Sequence, residues 1–419
     1  MTPSARRHVL CLVHRVPYPP DKGDRIRAFH ILRHLSRHAA VHLACLADEP
    51  VSEETVAALR RYCEQVAVFP IGWSRWGRAL VSLLRGNTIS EGAFQVPALT
   101  DTLRAWAADT DFAAMLASSS AMVPYLRLEQ LRHIPAVVDL VDVDSQKWLD
   151  YAATARGWRS RLYRMEGRRL RALEEQLPKQ ARAVTLVSEP EADLYRRFCS
   201  PGRVEAVYNG VDLDYFRPRE LPAEPACVFV GALDYRPNVD AVCWFCEEVW
   251  PAVHAQTGGA KFWLVGRRPT AAVRNLAGLP GVELVGQVPD VRPWVARAAA
   301  VVVPLRLARG LQNKVLEALA MGKAVLASPP ALAALNVEPG VHLLSASSPA
   351  EWIASVPRLL HDESLRRRLG SAGRSYVETR HHWDRCLEPL GDLLGLTGPA
   401  AGATPPTRPI LAPEAAELP

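Results

Sequence analysis

The chain has 419 residues, 49% of them hydrophobic, enough material for two ordinary domains with separate cores. Its net charge is a modest +6, and no reading motif or set of stacking aromatics accompanies the basic residues, which argues against a nucleic-acid partner. The longest apolar runs, AVVDLV and AAAVVVPL, fall far short of the ~20 residues that a membrane-spanning helix needs.

The opening MTPSARRHVLCLVHRV reads as a first strand and not as a signal peptide, so a cytoplasmic location is expected. A helix follows in GDRIRAFHILRHLSRH, with Ile26, Phe29 and Leu32 at helical spacing. Gly23 sits in the loop before it, and Asp24 is placed to cap it. VHLACLA is a strand, and SEETVAALRRYCEQ a helix opened by a capping box at Ser52, with Thr55 or Glu54 as partner. VAVFPI, FAAMLASSS, AVVDLVDVD and AVTLVS read as further strands.

Residues 156–182 hold nine Lys/Arg against three Glu, a helix with either a plainly solvated face or a surface that meets anionic lipid or a phosphorylated acceptor. After residue 220 the pattern restarts. ACVFVGAL, a helix from Asn238, KFWLVG, VELVG, a helix around 291–298, AAVVVPL, a helix over 311–321 and AVLAS follow in order. Helical segments are expected at 349–369 and 371–395.

Strands alternating with helices imply parallel sheets with right-handed crossovers, and two such runs imply an α/β chain of two Rossmann-like domains. The expected boundaries are 1–215 and 220–375, joined at the Pro- and Asn-Gly-rich VYNGVDLDYFRP, with a C-terminal helix near 376–395 returning to the first domain. The Pro/Ala-rich 396–419 is expected to be a disordered tail. Of eight cysteines only Cys243 and Cys246 have C-x-x-C spacing. They lie in a helical pattern without a second pair, and buried core thiols are expected.

The stretch RGLQNKVLEALAMGK, 309–323, concentrates its polar groups at one helix N-terminus after a strand with no polar side chain. Unpaired N–H groups there favour a phosphate. Gly310 allows close backbone approach, Lys314 adds a cation, and Glu317 can accept from ribose hydroxyls; the plain alternative is a packing helix with Glu317 at the surface.

Taken in order, PPDKGDRIR, VSEPEADLY, VYNGVDLDYFRP, VFVGALDYRPNVDA, FWLVGRRP, VELVGQVPDV and GLQNKVLEALAMGKAVLAS resemble the retaining glycosyltransferases of family 4. DVDSQKWLDYA, DYRPNVDAVCWF and GLQNKVLEALAMG resemble the sugar transferases of PEP-CTERM/exosortase exopolysaccharide systems. The resemblance implies a GT-B fold, two Rossmann-like domains facing across a cleft, with a nucleotide-sugar donor on the second. In the family's E-x7-E motif the second glutamate, on the donor ribose, falls on Glu317, whereas the first falls on Arg309. The family's phosphate-binding Arg and Lys fall on Ala232 and Pro237, which leaves Arg236, Arg267 and Lys314 as the nearest substitutes.

By the same resemblance Gly286, Gln287 and Val288 hold the base, and Gly23, Gly310, Leu311, Gln312 and Asn313 complete the donor set. The resemblance implies front-face attack assisted by the leaving phosphate, no cofactor and no metal. Asp142 and Asp144, just past a strand's carboxyl end, are the residues expected to orient the acceptor hydroxyl beside Arg309, Asp144 alternatively capping the next helix. The acceptor implied is a lipid-linked glycan at the inner face of the plasma membrane, with 156–182 as the membrane surface. A GT-B epimerase or phosphorylase, or a non-catalytic binder of nucleotide sugars, is the alternative.

Overall fold

The computed structural model describes residues 6–219 and 221–396. Apart from Leu396, the tail expected at 396–419 lies outside the described residues. The chain divides into two compact units, the first comprising 6–208 with 387–396 and the second 209–386, except residue 220.

The first unit is built on seven strands: β1 His8–Val13, β2 Ala40–Ala47, β3 Gln65–Pro70, β4 Phe112–Ser118, β5 Ala136–Val141, β6 Ala183–Leu186 and β7 Val204–Ala206. They are all parallel, in the order β3-β2-β1-β4-β5-β6-β7. The second carries β8 Glu224–Val230, β9 Lys261–Val265, β10 Val282–Gly286, β11 Ala298–Val303, β12 Ala324–Ala327 and β13 Leu344–Ser345, parallel in the order β10-β9-β8-β11-β12-β13. Both are Rossmann-like domains, whose order reverses between β1 and β4 and between β8 and β11; ligands of such sheets bind beyond the strand ends at those points.

The central strands are apolar on both faces because helices cover both. Leu10 and Leu12 of β1 and Val228 and Phe229 of β8 are wholly buried. Asp139 in β5 breaks this pattern. It is 0% exposed and takes a forked ion pair from Arg27 of the Gly23–Leu35 helix, Nε–Oδ2 2.8 Å and Nη2–Oδ1 2.7 Å. Thr185 donates to Oδ1 at 2.8 Å, and Arg27 Nη1 donates to the Val207 carbonyl at 2.7 Å.

Several local expectations are corrected. Ser52 does cap the Glu53–Arg60 helix, accepting from Thr55 N, but Thr55 stands where a capping box needs Glu or Gln; the full box is Thr88 with Glu91. Asp24 does not cap the Gly23–Leu35 helix. Lys22 is its N-cap residue, and Asp24 turns to His14 and Arg15, the latter at 2.8 Å. The C-terminal helices are Pro349–His361, Glu363–Arg380 and Trp383–Leu393, broken at Asp362, whose side chain caps the second, and at His381. Periodicity did not single out the helices Arg75–Leu84, Ile89–Phe94 and Pro97–Asp109. Cys246 is buried in the core, and Cys243, one helical turn earlier, is half-buried.

Candidate functional site

In the second unit β8, β9 and β10 each end in the same dipeptide: Val230-Gly231, Val265-Gly266 and Val285-Gly286. The glycines are laced edge to edge, Gly231 N donating to Val265 O at 3.0 Å and Gly266 N to Gly286 O at 2.7 Å. A Cβ on Gly266 would stand 1.7 Å from the Gly231 carbonyl oxygen, so only glycine fits. The result is a floor of bare backbone beside the β8–β11 switch point. Sequence reading singled out Gly286 alone; the repeated Val-Gly ending was the signal for the other two.

From the far side of the switch point comes the Asn313–Ala320 helix, preceded by Gly310 at φ 57°. Gln312 is its N-cap residue without a side-chain cap bond; its amide donates to the Arg309 carbonyl at 2.9 Å. Asn313 accepts from Asn209 at 3.2 Å, and Lys314 reaches across to Asn238 Oδ1 at 2.7 Å, above the Phe229 ring. Asn238 in turn donates to the Ala232 carbonyl at 2.9 Å. The Lys314 ammonium therefore lies against Gly231, within 3.1 Å of where a Cβ would be.

Burial pushes Lys314 down to about 7 and Glu317 up to about 7. Together with Phe216, Val291 and Met321 they line a cavity of ≈ 10 Å³, about the room one water needs. Arg236 opens the Arg236–Glu248 helix after β8, and Arg267 follows Gly266, its carbonyl accepting from Leu233 N at 2.9 Å. Gln287 is exposed, while Leu311 and Val288 pack on the core.

In the first unit the carboxyl ends of β4 and β5 carry two residues in left-handed backbone, Ser119 at φ 82° and Val141 at φ 68°. The latter is rare for a β-branched residue and marks stored strain. It turns Asp142 off the strand. One oxygen of Asp142, Oδ1, is buried without a partner, and burial, with Glu191 next, pushes this carboxyl up to about 7.

Asp144 is the first residue of the Asp144–Thr154 helix and not its cap, a position held by Val143. It accepts from Ser120 and Lys147, each at 2.7 Å, and these partners outweigh burial to hold it below the usual carboxylate range. Asp142 and Asp144 thus sit two residues apart in opposite states, one pushed toward the neutral acid and one held as the anion. Ser119, Ser120, Lys147 and Glu191, which accepts from Val143 N at 3.0 Å, were not found by sequence reading; the SSS run after β4 was the available signal. Gly23 begins the helix after β1, where His14 lies 3.6 Å from Asp24. Among the described residues no three His, Cys, Asp or Glu side chains gather in a metal-binding group.

Residues 23–215 match the Glycosyltransferase Family 4 model and residues 224–362 the Glycosyl transferases group 1 model. Fold and matched domains together define a glycosyltransferase of the GT-B type. The chain joins a family 4 first domain to a group 1 second domain.

Solved structures agree in fold. Sucrose-phosphate synthase from Thermosynechococcus elongatus is 18% identical with TM-score 0.67, over 93% of this chain and 98% of that one. Anabaena HepE, solved in complex with UDP and glucose, is 14% identical with TM-score 0.65, over 93% and 99%. TarM is 10% identical with TM-score 0.67, over 94% and 100%. No curated protein matches the sequence significantly.

Proposed function

We propose that this chain is a retaining glycosyltransferase that moves a sugar from a nucleotide-sugar donor to a lipid-linked saccharide acceptor, in exopolysaccharide synthesis of the PEP-CTERM type. One observation carries the reading: the glycine floor of β8–β10, the Asn313 helix N-terminus and the Lys314 ammonium converge at one switch point. Bare backbone, N–H donors and one buried cation suit a diphosphate, whose charge grows as the glycosidic bond breaks.

The roles proposed follow from position. Lys314 and the helix N-terminus take the leaving diphosphate, with Arg236 and Arg267 beside them. Glu317 accepts from ribose hydroxyls. Gly286, Gln287 and Val288 hold the base by backbone, and Gly310, Leu311, Gln312 and Asn313 line the phosphates. Arg309, at the position of the family's first glutamate, adds positive charge toward the diphosphate or an acidic sugar. Asp142, poised near neutrality, orients the acceptor hydroxyl, and anionic Asp144 keeps Lys147 and Ser120 in place. The chemistry proposed needs no metal or cofactor, the cations and helix N-terminus supplying the positive charge. The complexes of HepE make UDP the first nucleotide to test. The basic segment 156–182 is proposed to face the anionic inner leaflet of the plasma membrane.

Thermal shift across UDP-, GDP-, ADP- and dTDP-sugars, with wild type and Glu317→Ala, tests the reading. One nucleotide series should raise the melting temperature of wild type and not of the variant. No stabilisation by any of them would remove the donor site.

A further inference from the structure

The Arg75–Leu84 helix of the first unit is exposed along its apolar stripe: Trp76 is 59%, Leu80 57% and Leu84 79% exposed, and Trp73, just before it, 89%. Of its ten residues only Ala79 and Ser82 are buried. Leaving such a contiguous stripe in water is unfavourable, and patches of this kind mark interaction surfaces.

Charge says what covers it. From Gln65 to Ser90 there is no acidic residue, and Arg75 and Arg85 flank the stripe, while Arg78 turns in to the carbonyls of Ile71 and Ala93. The adjoining Trp158–Gln180 helix is tied to it, Arg169 donating to the carbonyls of Leu83 at 3.1 Å and Asn87 at 2.7 Å. That helix exposes Arg161, Arg164 and Arg168, with a further exposed tryptophan, Trp158, at its start. Its carboxylates are mostly turned away: Glu166 accepts from Ile89 N and Ser90 N, Glu174 is buried against Ser145, and only Glu175 is exposed. Tryptophan and leucine beside an arginine-rich border with a single exposed carboxylate fit a bilayer interface, where rings lie at headgroup depth and guanidinium groups meet lipid phosphates. No described helix is long and apolar enough to cross a membrane, so the contact is one of lying on the surface.

We infer that the Arg75–Leu84 helix is an interfacial wedge that seats the first unit in an anionic lipid bilayer, with the Trp158–Gln180 helix as its electrostatic border. The inference rests on the membrane contact proposed above and adds the element that enters the lipid.

Flotation with vesicles of phosphatidylglycerol or phosphatidylcholine tests it, read without any donor so that it stands apart from glycosyl transfer. Wild type should float with phosphatidylglycerol vesicles and much less with phosphatidylcholine. Trp76→Ser/Leu80→Ser/Leu84→Ser, all at exposed positions, should float ~10-fold less or worse, given the apolar area removed. Arg161→Glu/Arg164→Glu/Arg168→Glu should also float less, and circular dichroism melts should match wild type for both variants. If wild type does not float, wedge and border both fail. If the serine variant floats like wild type while the glutamate variant does not, the wedge is overturned and the border stands. If light scattering shows a wild-type dimer that the serine variant breaks with flotation unchanged, the stripe is a contact between copies and the inference is overturned.

Discussion

Replacing Asp139 by alanine isolates the energetics of the one carboxylate buried in the middle of the first sheet. Arg27 is 1% exposed and Asp139 0%, so neither has water to fall back on. The substitution removes both acceptors of the Arg27 fork and the acceptor of the Thr185 hydroxyl. Breaking a buried pair on one side costs about 3–5 kcal/mol, because the remaining charge stays desolvated and uncompensated. A stranded buried hydroxyl adds ~1 kcal/mol. For a unit of this size a loss of about 5 kcal/mol lowers the melting temperature by roughly 10–20 °C.

Calorimetry should show one transition moved down by that amount. The double variant Arg27→Met/Asp139→Leu, which removes the charge together with its partner, should regain at least half of the loss. A shift below about 2 °C for Asp139→Ala would refute the reasoning. So would a double variant as unstable as the single one, since the stranded charge would then not be the cause.

The remaining expectations concern the two candidate sites. Asp142 lies at about 7 in the fold against 3.8 ordinarily, so the folded state holds an extra proton between these values and stability falls as pH rises through that window. Three units amount to at most ~4 kcal/mol, and partial solvent access reduces this to ~2 kcal/mol. Urea midpoints at pH 5 and pH 8 should converge for Asp142→Asn relative to wild type; an identical pH dependence would remove the charge argument. Gly266→Ala should destabilise the second unit by ~3 kcal/mol, because its Cβ would strike the Gly231 carbonyl, whereas Gly278→Ala, with open space, should stay within ~0.5 kcal/mol in the same titration. Lys314→Met should cost ~1–3 kcal/mol, since it strands the Asn238 Oδ1 acceptor and takes the cation from beside buried Glu317, and should lose nucleotide-induced stabilisation in the thermal shift panel.

The strands were legible because burial on both faces writes nearly unbroken apolar runs, as in AAAVVVPL. The Asn313–Ala320 helix was legible because its polar groups crowd one end of an apolar stretch. What connects Lys314 to Asn238 was not, since the partners lie 76 positions apart and no local pattern joins them. Asp139 is the single charge in AVVDLV, but its partner Arg27 is 112 positions away. The left-handed Val141 ran against propensity, for a β-branched residue is among the last expected there. The Arg75–Leu84 helix escaped notice between two clear strands although its spacing is regular, and its apolar stripe is not in the core where such stripes usually go.

The glycine floor has a consequence for how such a chain can change. A surface of bare backbone offers no side chain to exchange, and Gly266 at least cannot gain one without displacing its neighbour. The part of the second unit that would cradle a phosphate is therefore frozen against drift. Novelty in the ligand has to come from the loops around it, where Arg309 lies and Gln287 stands exposed. An engineer altering this end of the second unit would leave the three Val-Gly ends untouched and randomise those loops.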